Sequence, residues 1–360
     1  MGMVCPTLNG VSDKIIAFAS SEYTEGTYDR LTYKNYGDYI EISDCYKSVE
    51  TIEIPSDIDG IPITSIGENA FYECKYLTSI NIPDSVKNIG DFAFTYCKSL
   101  KSINIPNGVT SIGYDTFAFC SSLISIKLPE SVTFIDDYAF YSCKNLVSLN
   151  IPESVTRIGG FAFYKTLWLE EKRKENPLVI VNEILIDGEV CSGEVLIPDG
   201  VKSIGHSAFA ECENLVSIVV PSSVEAIEYG AFKACPELES ITFLNHECDI
   251  FDDEYTASNN FNHFYGTIYG YENSTAQAYA EKYGRNFESL GKAPEKETST
   301  GDINGDGEFN VADVVLFQKY LLGMPDTTIS DLKNADLCAD GRLDTFDLCI
   351  MKKKLVEDLV

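Results

Sequence analysis

Leu77-Thr78-Ser79-Ile80-Asn81-Ile82-Pro83, followed by Val86, Ile89-Gly90, Ala93-Phe94 and Cys97, is the stretch that decides the fold. Ile80 and Ile82 face one way and Ser79 and Asn81 the other, which makes a short half-buried strand. Pro83 ends that strand because it has no ladder N–H. Val86 and Ile89 supply a second inward pair, and Phe94 fills the turn. The same pattern returns at a fixed step. Cys74, Cys97, Cys120 and Cys143 stand 23 residues apart, and Cys212 and Cys235 resume the series. Pro83, Pro106, Pro129, Pro152, Pro198 and Pro221 keep the same register, as do the pairs Ala70-Phe71, Ala93-Phe94, Thr116-Phe117, Ala139-Phe140, Ala162-Phe163, Ala208-Phe209 and Ala231-Phe232. A period of this size predicts a solenoid, with equivalent residues stacked roughly 4.8 Å apart along its axis.

The cysteine column reads as a buried row of small apolar thiols. Zinc would need clustered C-x₂₋₄-C spacing, and strict disulfide pairing would not admit Thr166 at one step. Between Ala162 and Ala208 lies a gap of 46 residues, two periods, which holds Trp168 and the charged run Glu170-Glu171-Lys172-Arg173-Lys174-Glu175. It is read as an eroded repeat bulging outward on the surface; a binding protrusion with the tryptophan at its base is the competing role.

These units resemble BspA-type leucine-rich repeats. The resemblance implies a β-rich solenoid over residues 51–245, opened by a cap at 1–50 and closed by a cap at 246–290, whose stretch Ala276 to Tyr283 is helical and shields the last coil. On the outward strand face stand Ser79, Ser102, Ser125, Ser148, Ser217 and Ser240, beside Asn81, Asn104, Lys127, Asn150, Val219 and Thr242. This face often binds protein in such repeats, but here it is short-chained and lacks Tyr, Trp or Arg anchors. A stripe of Tyr72, Tyr96, Phe119, Tyr141 and Tyr164 is expected to pack over neighbouring turns; stacking on sugar rings is the alternative.

A formal net charge of −29 excludes nucleic-acid binding through basic clusters, which are absent. No apolar run reaches the length of a membrane span, and Met1 to Cys5 followed by Ile15 to Ala19 does not make a secretion signal, so a mature secreted form is expected. His206, His246 and His263 share no motif with a nucleophile. No catalytic residues are assigned, and a carboxylate pair stays open as an alternative.

Residues 291–299 read as a linker, and 300–360 as a small α-helical module. Within it, Asp302, Asn304, Asp306, Asn310 and Asp313 fall at positions 1, 3, 5, 9 and 12 of a loop with Gly307 at 6. That is the EF-hand pattern, with Asp in place of Glu at 12. Calcium is a hard ion taking six to eight oxygens, and Glu308 at position 7 would offer its backbone carbonyl. A second loop places Asp336, Asp340, Asp344 and Asp347 at positions 1, 5, 9 and 12, with Gly341 at 6 and Arg342 at 7. Position 3 is Cys338, a soft and poor calcium ligand, so this site is expected to be weaker or completed by water. A Cys338–Cys349 disulfide stays open. Helices are predicted over Val311 to Leu322, ended by Gly323, and over Thr345 to Leu355.

Two loops, each followed by a helix, resemble type I dockerins of cellulosomes, in wording close to those of Ruminococcus-type systems. The resemblance implies that Ca²⁺ folds the module and that one face binds a cohesin domain of a scaffoldin. Contact positions carried over are Val311, Ala312, Lys319 and Tyr320, or Thr345, Phe346, Lys353 and Lys354. These two sets differ in chemistry, so one preferred orientation is expected. The resulting expectation is a secreted, cell-surface, non-catalytic cellulosome component whose repeats recognise protein or carbohydrate; the alternative is a dockerin-tethered glycan-degrading enzyme in polysaccharide catabolism.

Overall fold

The computed structural model describes residues 23–260, 263–294, 301–325, 327–330, 332–338 and 340–357. Expectations for 1–22 of the N-terminal cap, 295–300 of the linker and module start, and 358–360 lie outside the described residues. One compact unit ends at Gly291 and a second begins at Lys292.

In the first unit each 23-residue coil contributes two short strands to two parallel stacks. Ser102, Ser125 and Ser148 align in one stack, with Ile103, Ile126 and Leu149 beside them. Ser111, Phe134 and Arg157 align in the other, next to Ile112, Ile135 and Ile158. A residue therefore meets its equivalent one period away, and like side chains form continuous columns. The phenylalanine column is fully buried: Phe71, Phe94, Phe117 and Phe140 stack at centroid distances of 5.1, 5.4 and 5.4 Å with nearly parallel rings.

Between the strands each coil turns through two left-handed residues, also in register. Phe92, Asp115, Tyr138 and Phe161 form one series and Tyr96, Phe119, Ser142 and Lys165 the other, all with φ between 52° and 62°. Left-handed geometry costs a non-glycine residue about 1–2 kcal/mol. Inter-coil hydrogen bonds offset it: the N–H groups of Phe92, Phe94 and Tyr96 donate to the carbonyls of Tyr114, Thr116 and Ala118 at 2.9 Å each.

The cysteine column packs as a row of small buried side chains, and its thiols also donate. Cys97, Cys120, Cys143 and Cys235 reach the carbonyls of Phe71, Phe94, Phe117 and Phe209 in the preceding coil at 3.0–3.1 Å. Burial pushes the Cys97 and Cys120 thiols well up, and Cys235 to about 12. They stay protonated and can serve as donors.

The eroded repeat forms a helix, with Glu170, Glu171, Lys174 and Glu175 exposed on the surface. At the cysteine step Thr166 Oγ1 donates to Phe163 O at 2.7 Å and accepts from Leu169 N at 3.2 Å, capping α1 (Leu167–Glu175). Trp168 and Leu169 turn inward, and the indole packs 4.9 Å from the Phe163 ring. The tryptophan is thus core and not a surface contact. Arg173 also turns inward, gripping Asp187 with Nε and Nη2 at 2.9 and 2.6 Å. Behind it an antiparallel hairpin, Val179–Val181 with Ile184–Asp187, restores the stack, and Leu185 pairs in register with Ile204. Leu185 is 27 residues beyond Ile158, and Ile204 is 19 beyond Leu185, so the 46 residues of two periods are conserved while their division is not. The buried core divides at this hairpin, with one cluster ending at Ile184 and the next starting at Leu185.

Both ends of the stack are covered. At the start, strands Thr24–Tyr28, Leu31–Asn35 and Ile40–Cys45 form an antiparallel meander, and the last of them runs parallel to Ile61–Ile66. At the finish, Thr267–Gly270 and Asn286–Ser289 extend the parallel sheet. Between them lies α2 (Thr275–Lys282), capped by Ser274, which buries Ala276, Tyr279 and Ala280. No helix among the described residues is long and apolar enough to cross a membrane.

The second unit holds α3 (Val311–Leu321), the short α4 (Leu332–Ala335) and α5 (Thr345–Glu357). Its fully buried apolar core among the described residues is Ile303, Val314, Phe317, Ala335 and Met351. Helix α3 ends at Leu321, with Gly323 left-handed at φ 62°, and α5 runs two residues past Leu355.

Candidate functional site

The loop at 302–313 folds around two buried carboxylates. Asp302 accepts from the N–H groups of Gly305 and Gly307 at 2.8 and 2.9 Å. Asp313 accepts from Ile303 and Asn304 with Oδ1 at 2.9 and 3.1 Å, and from Asn310 with Oδ2 at 2.9 Å. Asn310 caps α3, its Oδ1 accepting from Ala312 N at 2.8 Å. Asn304 and Asp306 accept in turn from Asp306 N at 2.7 Å and Glu308 N at 2.9 Å. A carboxylate offers about four lone-pair directions, so these bonds fix each acid while leaving others for an ion. Gly307, at φ 94°, makes the turn that an L side chain would strain. Oxygen donors at positions 1, 3, 5, 9 and 12 on this frame fit calcium, which would order the loop and the start of α3. The sequence pattern did not single out Ser330, which binds the loop from outside: its N donates to Ile303 O and its Oγ to Asn304 O, both at 2.8 Å. Asn334 Nδ2 adds a bond to Asp302 O at 3.3 Å.

The loop at 336–347 repeats this frame with Cys338, Arg342 and Asp344 in place of Asn304, Glu308 and Asn310 at positions 3, 7 and 9. Asp336 accepts from Asp340 N at 3.1 Å and Gly341 N at 2.8 Å; Asp347 accepts from Cys338 N and Asp344 N, both at 3.1 Å. Arg342 N donates to Asp340 Oδ1 at 2.9 Å, so Arg342 holds position 7 with its side chain exposed. Burial works against the Asp347 carboxylate, but these N–H donors outweigh it and hold the group below its ordinary range. Cys338 lies against Asp336, Sγ to Oδ1 at 3.7 Å, and the ligand atoms of Asp336, Cys338 and Asp340 all lie within 4.8 Å of one another. Cys338 and Cys349 are both free thiols, so the disulfide left open by the sequence is not formed.

The residues carried over as partner contacts separate by exposure. Val311, Ala312, Lys319 and Tyr320 are exposed on α3, and Val315 and Leu322 extend that face by helical spacing. Val315 and Leu322 were missed because the carried-over positions stop at the family's contacts, although i, i+4, i+11 spacing from Val311 would have found them. On α5, Thr345, Phe346 and Lys353 are exposed. Lys354 is half-buried, with Nζ 5.1 Å from the centre of the Phe309 ring, which ties it to the first loop.

On the repeat unit the serine and asparagine columns lie on the outer strand face, exposed from Ser79 to Ser148 and half-buried at Ser217 and Ser240. Beside them Ile124 and Val147 form an exposed aliphatic step, 50% and 49% accessible. The aromatic stripe packs on itself. Tyr96 and Phe119 stack at 4.5 Å, and Tyr72, Tyr141 and Tyr164 continue the row at 5.3–5.9 Å. A parallel row of Phe92, Tyr114, Tyr138 and Phe161, absent from the sequence reading, joins it through Tyr138–Tyr141 and Phe161–Tyr164 at 5.6 Å. Within the row the contacts alternate between stacked and edge-on rings, and each ring is half-buried. The three histidines lie apart. His206 Nδ1 meets Asp137 Oδ1 at 2.9 Å, joining coils on either side of the break; His246 approaches Glu247, and His263 lies against Tyr265.

Comparison with known proteins gives two family matches. The BspA type leucine rich repeat region matches in six copies over residues 41–170 and 191–269, and the dockerin type I domain matches residues 300–356. Among solved structures, the chain is similar to a leucine rich repeat protein of T. pallidum at 29% identity and a TM-score of 0.39, covering 60% of this chain and 87% of that one. It is also similar to a leucine rich cell surface protein of Faecalibacterium prausnitzii at 23% identity and a TM-score of 0.36, covering 76% and 97%. The pneumococcal vaccine antigen PcpA is 16% identical with a TM-score of 0.37, covering 75% and 98%. No curated protein matches significantly. With columns of period 23 in its first unit and two helix-leading acidic loops in its second, the chain belongs to the BspA-type leucine-rich-repeat family and carries a type I dockerin domain at its C-terminal end.

Proposed function

We propose that this protein is a non-catalytic component of an extracellular cellulosome-type assembly. Its C-terminal module docks onto a scaffoldin cohesin in a calcium-dependent way, and its repeats present a recognition surface. The observation that carries this reading is the first loop, whose buried Asp302 and Asp313 sit at the base of a helix with an exposed apolar face. Calcium there fixes α3 and so presents Val311, Val315 and Leu322 as one patch. The equivalent α5 face offers Thr345, Phe346 and Lys353, a mixed set. An apolar patch and a basic-aromatic patch cannot match one cohesin surface equally well, which supports a single preferred orientation.

For the repeats, the self-stacked aromatic rows favour a protein partner over a polysaccharide. The exposed Ile124–Val147 step beside Lys127 gives such a partner an aliphatic anchor on an otherwise polar face. The test uses the full chain titrated calorimetrically against a panel of type I cohesins. Binding should disappear with EDTA and return with calcium. Val311→Asp should weaken it by about a hundredfold, roughly 2.7 kcal/mol, and Lys353→Ala much less. Cohesin binding indifferent to EDTA would refute the calcium-dependent docking. Release of reducing sugar from plant polysaccharides, abolished by changing one carboxylate, would refute the non-catalytic assignment.

A further inference from the structure

Residues 302–313 and 336–347 share one backbone frame but differ in the atoms aimed at the metal position. In the first loop, position 3 is Asn304, whose side-chain oxygen accepts from Asp306 N at 2.7 Å. In the second, position 3 is Cys338, and the corresponding N–H, from Asp340, turns to Asp336 Oδ1 instead at 3.1 Å. An oxygen donor has been replaced by sulfur. The first loop also carries four acids and no base, whereas the second carries four acids and Arg342. Calcium wants six to eight oxygens and gains little from a thiol. The donor set of the second loop therefore does not fit calcium as the first does.

It fits another class of ion. Thiolate with carboxylate suits zinc and similar borderline cations, held tetrahedrally by three protein ligands and a water. With metal–sulfur and metal–oxygen bonds of about 2.3 and 2.0–2.2 Å, tetrahedral ligand atoms stand roughly 3.5 Å apart. Cys338 Sγ and Asp336 Oδ1 are already 3.7 Å apart, and Asp340 completes a triad whose ligand atoms lie within 4.8 Å.

We propose that the loop at 336–347 is a mixed thiolate–carboxylate site for a zinc-class divalent cation, with Asp336, Cys338 and Asp340 as its protein ligands, and not a second calcium site equal to the first. This rests on reading residues 300–356 as an ion-ordered docking module. As the metal–sulfur bond forms, the thiol proton leaves to solvent, and no group changes oxidation state. One module then senses two cations through two loops.

The experiment adds Co²⁺ and, separately, Cd²⁺ to the calcium-loaded full chain and reads sulfur-to-metal charge-transfer absorption in the ultraviolet. The expected result is one thiolate bound per chain, lost in Cys338→Ser and retained in Cys349→Ser. In parallel, calorimetry should show the second loop taking calcium at least about tenfold more weakly than the first, and Cys338→Asn should recover about that factor. No charge-transfer band in the wild-type chain, or a band that survives Cys338→Ser, overturns the proposal. Two calcium ions of equal affinity in the wild type would overturn it as well. Loss of all calcium uptake with the band intact would instead defeat the calcium role of the first loop, and the thiolate site would stand.

Discussion

Phe117 and Phe317 are both fully buried, but their surroundings differ in kind. Phe117 lies between Phe94 and Phe140, each 5.4 Å away, in a column that continues coil after coil. Phe317 shares its small core with Ile303, Val314, Ala335 and Met351, and its ring neighbour Tyr320 lies 6.3 Å away on the same helix. The repeat unit buries apolar surface in proportion to its number of coils, and each coil needs only its neighbours. A module with so few buried side chains falls below what hydrocarbon alone holds together, and units of this size commonly draw on a metal. Its buried acids Asp302, Asp313 and Asp347 make the same point, since a cation would neutralise charge that backbone N–H donors hold.

Chelation is the strongest way to break this comparison. With EDTA, amide exchange across 311–321 and 345–357 should rise to near-unfolded rates, while 79–150 keeps its protection; equal loss in both units would erase the distinction. A cavity tests the other half. Phe117→Ala should cost about 3–5 kcal/mol, read as a lower melting temperature of the repeat unit with the calcium response of the module unchanged. Charge gives the smallest effect. Burial raises Asp115 to about 6, above the roughly 3.9 of an unfolded chain. That carboxyl stabilises the fold relative to its ionised state only below pH 4, and the advantage is lost as pH rises through 6. Asp115→Asn should therefore raise the melting temperature at pH 7 and leave it unchanged at pH 4. The side chain is partly exposed, so the gain stays below about 1 kcal/mol. An equal gain at both pH values would place the effect outside ionisation.

The columns were legible because a solenoid converts sequence period directly into spatial neighbours. Once Cys97 and Cys120 stand 23 residues apart, their adjacency follows. The loops were legible because all twelve positions are local. What the period could not show was where it is broken. Thr166 reads as a small residue replacing cysteine, but its hydroxyl also accepts from Leu169 N and starts a helix where a strand was expected. Arg173 looks solvent-facing in a run of charges, and only the fold brings Asp187 to it. Likewise His206 lies 69 residues from Asp137, a separation that is three periods and so a matter of coils, not of local motif. Thiol donation to the previous coil was hidden for a simpler reason, since sequence gives the residue but not the carbonyl above it.

The unequal coils, 27 and then 19 residues long, behave like a dislocation that heals within one lattice spacing. Beyond it, Ile204 and Ile227 pair as if the stack had never been disturbed. A lineage of such proteins can therefore remodel one coil completely, helix for strand, and leave every downstream coil in phase. Only a change that fails to return to a whole multiple of 23 would be carried forward into the rest of the stack.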